Sequence, residues 1–185
     1  MNLKPDKNVK RTLEELVAIY KSAEDGITSK AKEERDPMSA LSHIQEVMLF
    51  LKNLCEGHYI QMQNLMQNQE QDHSVDLVAA LAALLSEETE EVTPMNIKMV
   101  IQGFDTLTEF MQGPNKVTIA SLLKTNIFDA INHIIRNDHT AIENVYYPKE
   151  YLNLVRDLKS SAITCVLAMM EASSGNLLNE SMAHD

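Results

Sequence analysis

The chain has 185 residues, 44% of them hydrophobic and 23% charged, a composition typical of a globular protein rather than a disordered one. Its formal net charge of −11 disfavours nucleic acid and anionic membrane surfaces as partners, because both would repel it. No stretch reaches the roughly 18 apolar residues that a spanning helix needs, and the N-terminus has no signal-peptide core. The expectation is a soluble chain in a reducing compartment, with no membrane insertion by this segment.

Residues 1–8 are polar, and an amphipathic helix is predicted from about Val9 to Ala23. The polar stretch 26–37 reads as a linker. Residues 1–38 are therefore expected to form a loosely attached N-terminal helix and linker.

A strong helical periodicity begins after Pro37. Apolar residues recur there at spacings of three and four, which places them on one helical face: Leu41, Ile44, Met48, Leu51 and Cys55. Ser39 is the expected N-cap of this helix and Gly57 its end, and a second helix is predicted over 58–69.

The middle of the chain predicts two long helices. Ser74 is expected to cap the first, whose body VDLVAALAALL is apolar nearly all round and so should be central in the fold. The acidic run 86–91 is predicted to be a loop. Thr93-Pro94 is expected to start the second helix, with Pro94 at the first helical position, and Gly113-Pro114 to stop it.

The last third predicts a short helix over 117–123, and then a helix over 127–136 capped by Asn126. Residues 137–148 read as a loop. Pro148 is expected to open the longest helix, which runs to about Ala172 and is ended by Ser173-Ser174-Gly175. A short tail helix at 177–182 is left open.

No segment alternates with a period of two, so the predicted fold class is all-α, either a helical bundle or a short armadillo-like helical stack. The predicted domains are the N-terminal unit 1–38, a helical domain 39–175 and a tail 176–185. The two cysteines, Cys55 and Cys165, lie far apart in apolar patterns and are expected to be buried free thiols. The 11 methionines are expected mainly to fill gaps between helices, with a methionine-lined partner groove as the alternative.

Candidates for chemistry are few. The sequence has no glycine-rich phosphate loop, no HExxH and no EF-hand loop. Glu70 and His73 form a single Glu-x-x-His in a predicted turn, and Asp129 and His133 have the spacing of an ordinary helix-surface pair. The acidic run 86–91 lacks the pattern of a calcium site. The sequence therefore predicts no enzyme, and no catalytic, cofactor-binding or metal-binding residue.

Three segments carry a family resemblance. They are FLKNLCEGHYIQMQNLMQNQ (50–69), LTEFMQGP (107–114) and LVRDLKSSAITCVLAMMEA (154–172). In this order they resemble the RIH-associated domain of intracellular calcium-release channels, over roughly residues 40–175. The third segment is closer to the inositol trisphosphate receptor branch than to the ryanodine receptor branch.

The resemblance implies structural roles for nine motif residues: Cys55, Glu56, His58, Gln63, Asn64, Glu109, Gln112, Gly113 and Pro114. Glu56 and His58 flank the Gly57 turn and are expected to tie two helix ends together by hydrogen bonds, and Gln63 and Asn64 to satisfy backbone groups of a neighbouring turn. Two positions depart from the family pattern. Gly57 stands where Asn is common, and Asn115 where Cys is common.

The resemblance also implies a function. It predicts a non-catalytic scaffold that relays conformational change toward the pore of a homotetrameric channel, on the cytosolic side of the endoplasmic reticulum membrane. Its partners would be neighbouring helical domains of the same and adjacent subunits. Because the sequence holds no β-trefoil ligand-binding region and no pore, the chain is expected to be an excerpt of such a channel. The alternative is a free-standing, cytoplasmic helical interaction module of the same family.

Overall fold

The computed structural model describes residues 37–69, 74–113, 115–137 and 149–182. Side chains are described for those of these residues that lie from 40 to 171. The chain divides into two compact units, Met1–Ala40 and Leu41–Asp185, and nearly all the described residues belong to the second. The helix predicted over 9–23 and the linker after it lie outside the described residues.

The all-α fold class is confirmed for the described part of the chain, which forms a stack of seven helices and no strand. In chain order these are α1 (Pro37–Cys55), α2 (Ile60–Gln67), α3 (Leu77–Glu88), α4 (Ile97–Met111), α5 (Lys116–Leu122), α6 (Ile127–Arg136) and α7 (Lys149–Met182).

Helix α4 is at the centre of the core. Ten of its fifteen residues are buried, and it packs mainly on α7 and also on α3. Its two phenylalanines, Phe104 and Phe110, are fully buried, and each contributes about 1.5–3 kcal/mol by leaving water. Helix α3, predicted to be central, buries one stripe that ends at Leu85 and touches α2, α5 and α6 as well as α4.

Methionine fills much of the core, as the composition suggested. Among the residues whose side chains are described, six methionines are nearly or fully buried: Met48, Met62, Met66, Met99, Met111 and Met169. A flexible, unbranched side chain suits the irregular gaps between short helices that meet at different angles.

Several helix boundaries differ from those predicted. Helix α1 begins at Pro37, so Ser39 is not its N-cap. The Asp76 carboxylate, not Ser74, caps α3 by accepting from the Ala79 amide at 2.9 Å. The Ser74 hydroxyl instead accepts from the Gln69 amide at 3.0 Å, because it belongs to the connection from α2.

The predicted positions of the acidic run 86–91 and of Pro94 relative to the helix ends also differ from the structure. Residues 86–88 are helical, so the loop begins only at Thr89. Pro94 lies in a turn before Ile97, the first residue of α4. Thr93 and Asn96 are joined across that turn in the pattern of a capping box, since the Asn96 side chain accepts from the Thr93 amide at 2.8 Å and the Thr93 hydroxyl accepts from the Asn96 amide at 3.3 Å. The predicted stop at residues 173–175 is wrong, and so is a separate tail helix, because α7 continues unbroken to Met182.

Candidate functional site

A buried polar connection, which we call the Gln63 junction (Gln63, Asn64, Glu109, Gln112 and Asn115), joins α2 to the end of α4 and the start of α5. Gln63 is only 1% exposed. Its Nε2 donates to the backbone carbonyls of Glu109 at 2.8 Å and Gln112 at 2.9 Å. Both carbonyls lie at the C-terminal end of α4, where the helix itself supplies no donor. Gln63 therefore satisfies backbone groups that this buried helix end would otherwise leave unpaired.

Asn115 completes the junction. It is 2% exposed, and its Nδ2 lies 3.2 Å from Gln63 Oε1 and 3.3 Å from Asn64 Oδ1. Its own Oδ1 accepts from the Thr118 amide at 3.3 Å and so caps α5. One chain of amide side chains thus links three helices. The sequence marked Asn115 only as a departure from the family pattern, although an Asn before a predicted helix is itself an N-cap signal.

Two tight turns meet beside this junction. Gly57 and His58, between α1 and α2, both have positive φ, at 77° and 59°, and Gly113 after α4 has φ 99°. A Cβ placed on Gly113 would lie 3.5 Å from the Cβ and the Nδ1 of His58, so the two turns pack closely. Pro114 lies outside the described residues.

The hydrogen-bonded tie expected from Glu56 and His58 is not seen among the residues that the structure describes. Both residues are exposed, and neither side chain makes a hydrogen bond within the described part of the chain. The packing of His58 against Gly113 brings the two turns together instead.

The titratable groups beside the junction are shifted mainly by burial. Burial raises the pKa of the Cys55 thiol to about 12, and the charge of Glu109 adds to this effect. Burial also raises the pKa of Glu109, an effect that Lys52 and His58 oppose and that Glu56 and Asp105 reinforce. A thiol held protonated in this way is a poor nucleophile, because the thiolate is the reactive form.

Burial also raises the pKa of the second thiol, that of Cys165. Cys165 on α7 is fully buried, and burial raises its pKa to about 12. A hydrogen bond with Thr108 lowers this pKa, and the nearby charge of Asp105 raises it. Both cysteines are free, as the sequence predicted.

A cavity of about 240 Å³ is lined in part by Asp129 and His133. Its surroundings show whether these two residues could act as a catalytic pair. The two side chains do not hydrogen-bond to each other, and the His133 ring lies against the Asn137 amide, with Nε2 at 2.7 Å. The hydroxyls on the opposite wall bind their own helix, Ser86 to the Ala82 carbonyl at 2.8 Å and Thr89 to the Leu85 carbonyl at 2.7 Å. Among the described residues, the cavity therefore shows no hydroxyl or thiol nucleophile paired with the His133 ring.

Metal ligation finds no support in the part of the chain that the structure describes. No three His, Cys, Asp or Glu side chains are grouped there to hold an ion. Glu70 and His73 lie outside the described residues. Glu88, from the acidic run, accepts from Asn96 Nδ2 at 2.9 Å and so stabilises the α3–α4 connection.

Across the described ranges, no helix has both the length and the apolar character required to span a bilayer.

Comparison with known proteins identifies a matching family and a similar receptor. Residues 38–135 match the family described as RyR and IP3R Homology associated, a range that contains all nine motif residues. The chain is also similar to the inositol 1,4,5-trisphosphate receptor itr-1 of Caenorhabditis elegans, at 26% identity over 142 residues. The matched region is 70% of this chain but only 5% of that receptor.

Proposed function

The chain belongs to the RyR and IP3R Homology associated family, and from this membership we propose that it is a non-catalytic coupling segment of an intracellular ligand-gated calcium-release channel of the inositol trisphosphate receptor type. In this role it relays conformational change toward the pore, on the cytosolic side of the endoplasmic reticulum membrane. Its partners are neighbouring helical domains of the same subunit and of adjacent subunits in a homotetramer.

The observation that carries the proposal is the Gln63 junction. A relay must pass displacement from one element to the next without deforming, and buried hydrogen bonds resist deformation because an unpaired polar group in the interior costs about 1–3 kcal/mol. The Gln63 amide binds two carbonyls at the end of α4 and meets Asn115 at the start of α5. A force applied at the α1–α2 turn would therefore move α2, α4 and α5 together.

The non-catalytic part of the proposal is supported by the family itself, which is a channel-associated domain and not an enzyme family. The buried, protonated thiols and the hydroxyls bound to their own helix backbones agree with it.

The first test is to read the genomic sequence on both sides of this segment. A reading frame that continues into pore helices supports the channel, and stop codons on both sides support the free-standing interaction module instead.

The second test introduces Gln63→Leu into the full-length channel and measures ligand binding and calcium release separately. We expect unchanged ligand affinity and calcium release lowered about tenfold, because the junction would no longer transmit movement between helices. Gln61→Leu, on the exposed side of the same helix, is the matched control. Normal release by the Gln63→Leu channel would rule out coupling through the junction.

A further inference from the structure

A second cavity, of about 400 Å³, opens between α2, α5 and the start of α3. Its volume lies in the range of about 300–1,000 Å³ that is typical of ligand sites. Six of its eight lining residues are polar, and three of these six carry side-chain amides. We call it the amide cavity after its polar residues, which are Asn64, Gln67, Asn68, Asp76, Ser121 and Lys124.

The charged groups of the amide cavity do not favour an ion as its occupant. The Asp76 carboxylate is already engaged, since Oδ1 accepts from the Ala79 amide at 2.9 Å and Oδ2 from the Ser121 hydroxyl at 2.8 Å. Lys124 is exposed, so water screens its ammonium group. The two charges are of opposite sign and sum to zero, which leaves the amide groups to select the occupant.

Two of these amides retain unused hydrogen-bonding capacity. The Oε1 atom of Gln67 is shielded from solvent and has no hydrogen-bond partner among the described residues. Asn64 accepts from Asn115 through Oδ1 at 3.3 Å, whereas its Nδ2 makes no hydrogen bond to another described residue. Because residues three apart on a helix are neighbours on its surface, the cavity offers an acceptor and a donor side by side.

The Gln67 side chain is held loosely enough to turn. Its Nε2 donates to the Val117 carbonyl at 3.3 Å in an exposed and long hydrogen bond. Rotation of the side chain gives up this weak bond and brings Oε1 from a shielded position, where it is unpaired, to the cavity. A donor on an occupant would then satisfy an oxygen that the protein itself leaves without a partner.

We propose that the amide cavity binds a primary carboxamide, the side chain of an asparagine or glutamine in an extended segment of a partner protein. The NH₂ group of that side chain donates to Gln67 Oε1, and its carbonyl accepts from Asn64 Nδ2. A carboxamide suits this site because it is neutral and carries both a donor and an acceptor in one planar group.

The apolar part of the cavity wall favours a peptide over a free small amide. Val117 is 65% exposed and Ala120 is exposed beside it on the cavity wall. Residues on either side of the bound carboxamide would cover these two side chains, whereas a small molecule would leave them in water. The inference goes beyond the coupling role and stands on this cavity alone, so it holds for a channel segment and for a free-standing module.

The test titrates the isotopically labelled 185-residue chain with the peptide Ala-Ala-Asn-Ala-Ala. Acetyl and N-methylamide caps make its central side chain its one primary amide, and matched peptides carry Leu or Asp at the centre. We expect NMR spectra to show shifts of the side-chain amide signals of Gln67 and Asn64. The Asn peptide should bind at least about tenfold more tightly than either matched peptide, with little dependence on salt.

Substitutions at Gln67 separate recognition of the carboxamide from a structural role. Gln67→Leu should weaken binding of the Asn peptide about tenfold, because it removes the acceptor. Gln67→Glu keeps an acceptor oxygen and should bind within about threefold of the unaltered chain. Gln61→Leu, on the exposed side of α2, is the matched control and should bind normally. Circular dichroism checks the folding of each variant, and Gln67→Ala replaces Gln67→Leu if that variant is unfolded.

Four results would overturn the proposal. Equal affinity for the Asn and Leu peptides would mean that the apolar wall alone makes the contact. Tighter binding of the Asp peptide would assign the cavity to an anion beside Lys124, and acetamide that binds as tightly as the Asn peptide would assign it to a free small molecule. No shift of the Gln67 signal at millimolar peptide would show that the cavity takes no carboxamide.

Discussion

Gln63 uses its whole amide group in the interior: Nε2 donates to two carbonyls, and Oε1 accepts from Asn115. Leucine has a similar volume but can form none of these bonds. The polarity of this side chain, rather than its size, therefore holds α2 against the end of α4.

Gln63→Leu should lower the free energy of unfolding by about 2–4 kcal/mol, since it leaves the carbonyls of Glu109 and Gln112 buried without a donor. Urea denaturation followed by circular dichroism measures this loss. Gln61→Leu, on the exposed side of α2, should change stability by about 0.5 kcal/mol or less. Equal losses in the two variants would mean that the buried bonds add nothing.

Glu109 should make stability depend on pH. Because the folded chain holds its pKa above the ordinary value, the stabilising contribution is present when the carboxyl is protonated and is lost as the pH rises through the folded-state pKa. Glu109→Gln should therefore raise the thermal midpoint at about pH 7, and the gain should shrink below the ordinary glutamate pKa of about 4.3. Thermal melts from about pH 3.5 to 7 test this. Glu87→Gln, at an exposed position, is the control, and a pH-independent gain from Glu109→Gln would contradict the assignment.

The two cysteines should resist alkylation in the folded chain. Burial removes them from solvent and raises the pKa of each thiol to about 12, whereas an unfolded cysteine has a pKa of about 8.5. Reaction with iodoacetamide at about pH 8 should be roughly a hundredfold or more slower than in urea, as measured by mass spectrometry. A cysteine introduced at exposed Ala83 should react rapidly in the same sample. Fast modification of Cys55 or Cys165 in the folded chain would contradict their burial.

For single residues, the sequence predicted burial better than it predicted hydrogen-bond partners. The two buried thiols follow from the apolar stripes around them. The partners of Gln63 lie between 46 and 52 residues away, a separation at which local periodicity carries no information. The same limit applies to Glu56 and His58, on either side of a predicted turn, for which no hydrogen bond to another described residue is seen.

The turn between α1 and α2 has two consecutive residues, Gly57 and His58, in the left-handed region. Gly57 has open space around the position of a Cβ, so only the backbone conformation restricts what can stand there. Asparagine enters this conformation more readily than other residues with a side chain, and β-branched residues do so least readily.

Gly57→Asn, the residue common in the family, should therefore change the free energy of unfolding by less than about 0.5 kcal/mol. Gly57→Val should lower it by about 1–3 kcal/mol, because valine is strained at a φ of 77°. Parallel urea titrations give both values. If the two variants lose the same stability, the turn does not hold residue 57 in the left-handed region.

Helices were easier to predict than their ends. Long periodic runs identified α1, α4 and α7, because burial of a whole apolar face outweighs the preference of any one residue. The ends depend on contributions of about 1 kcal/mol, which competing neighbours can override. Asp76, directly before Leu77, replaced Ser74 as the cap of α3, and the serines and Gly175 near the end of α7 did not interrupt a helix that already ran for several turns.

At the scale of the molecule, the main difference from the sequence prediction is which helix lies at the centre of the core. Helix α3 is the most uniformly apolar in sequence, yet α4 is more deeply buried, with ten of its fifteen residues buried against five of the twelve in α3, because α4 lies between α7 and α3. A threonine hydroxyl of α4 also forms a hydrogen bond to another helix. The Thr106 Oγ1 lies 3.1 Å from the Met48 carbonyl and connects α4 to α1. Sequence polarity thus indicated the fold class, but not the order in which the helices pack.

The excess of acidic residues should make stability depend on ionic strength. With a net charge of −11, self-repulsion opposes the compact state, and the Debye length falls from about 30 Å in 10 mM salt to about 8 Å in 150 mM. The thermal midpoint should therefore rise by a few degrees over that range, measured by differential scanning calorimetry. KCl and NaCl should act equally, since the effect is screening, and a midpoint that falls with salt would contradict it.

The length of α7 gives it a mechanical property that none of the other described helices shares. Its 34 residues, at 1.5 Å per residue, make a rod of roughly 50 Å that packs along α4, α5 and α6 through its first part. A tilt of only about 5° about the middle of that packed part would displace the far end by roughly 3 Å, more than half the height of one helical turn. A helix of this length therefore converts a tilt too small to disturb the core into a larger displacement at its distal end.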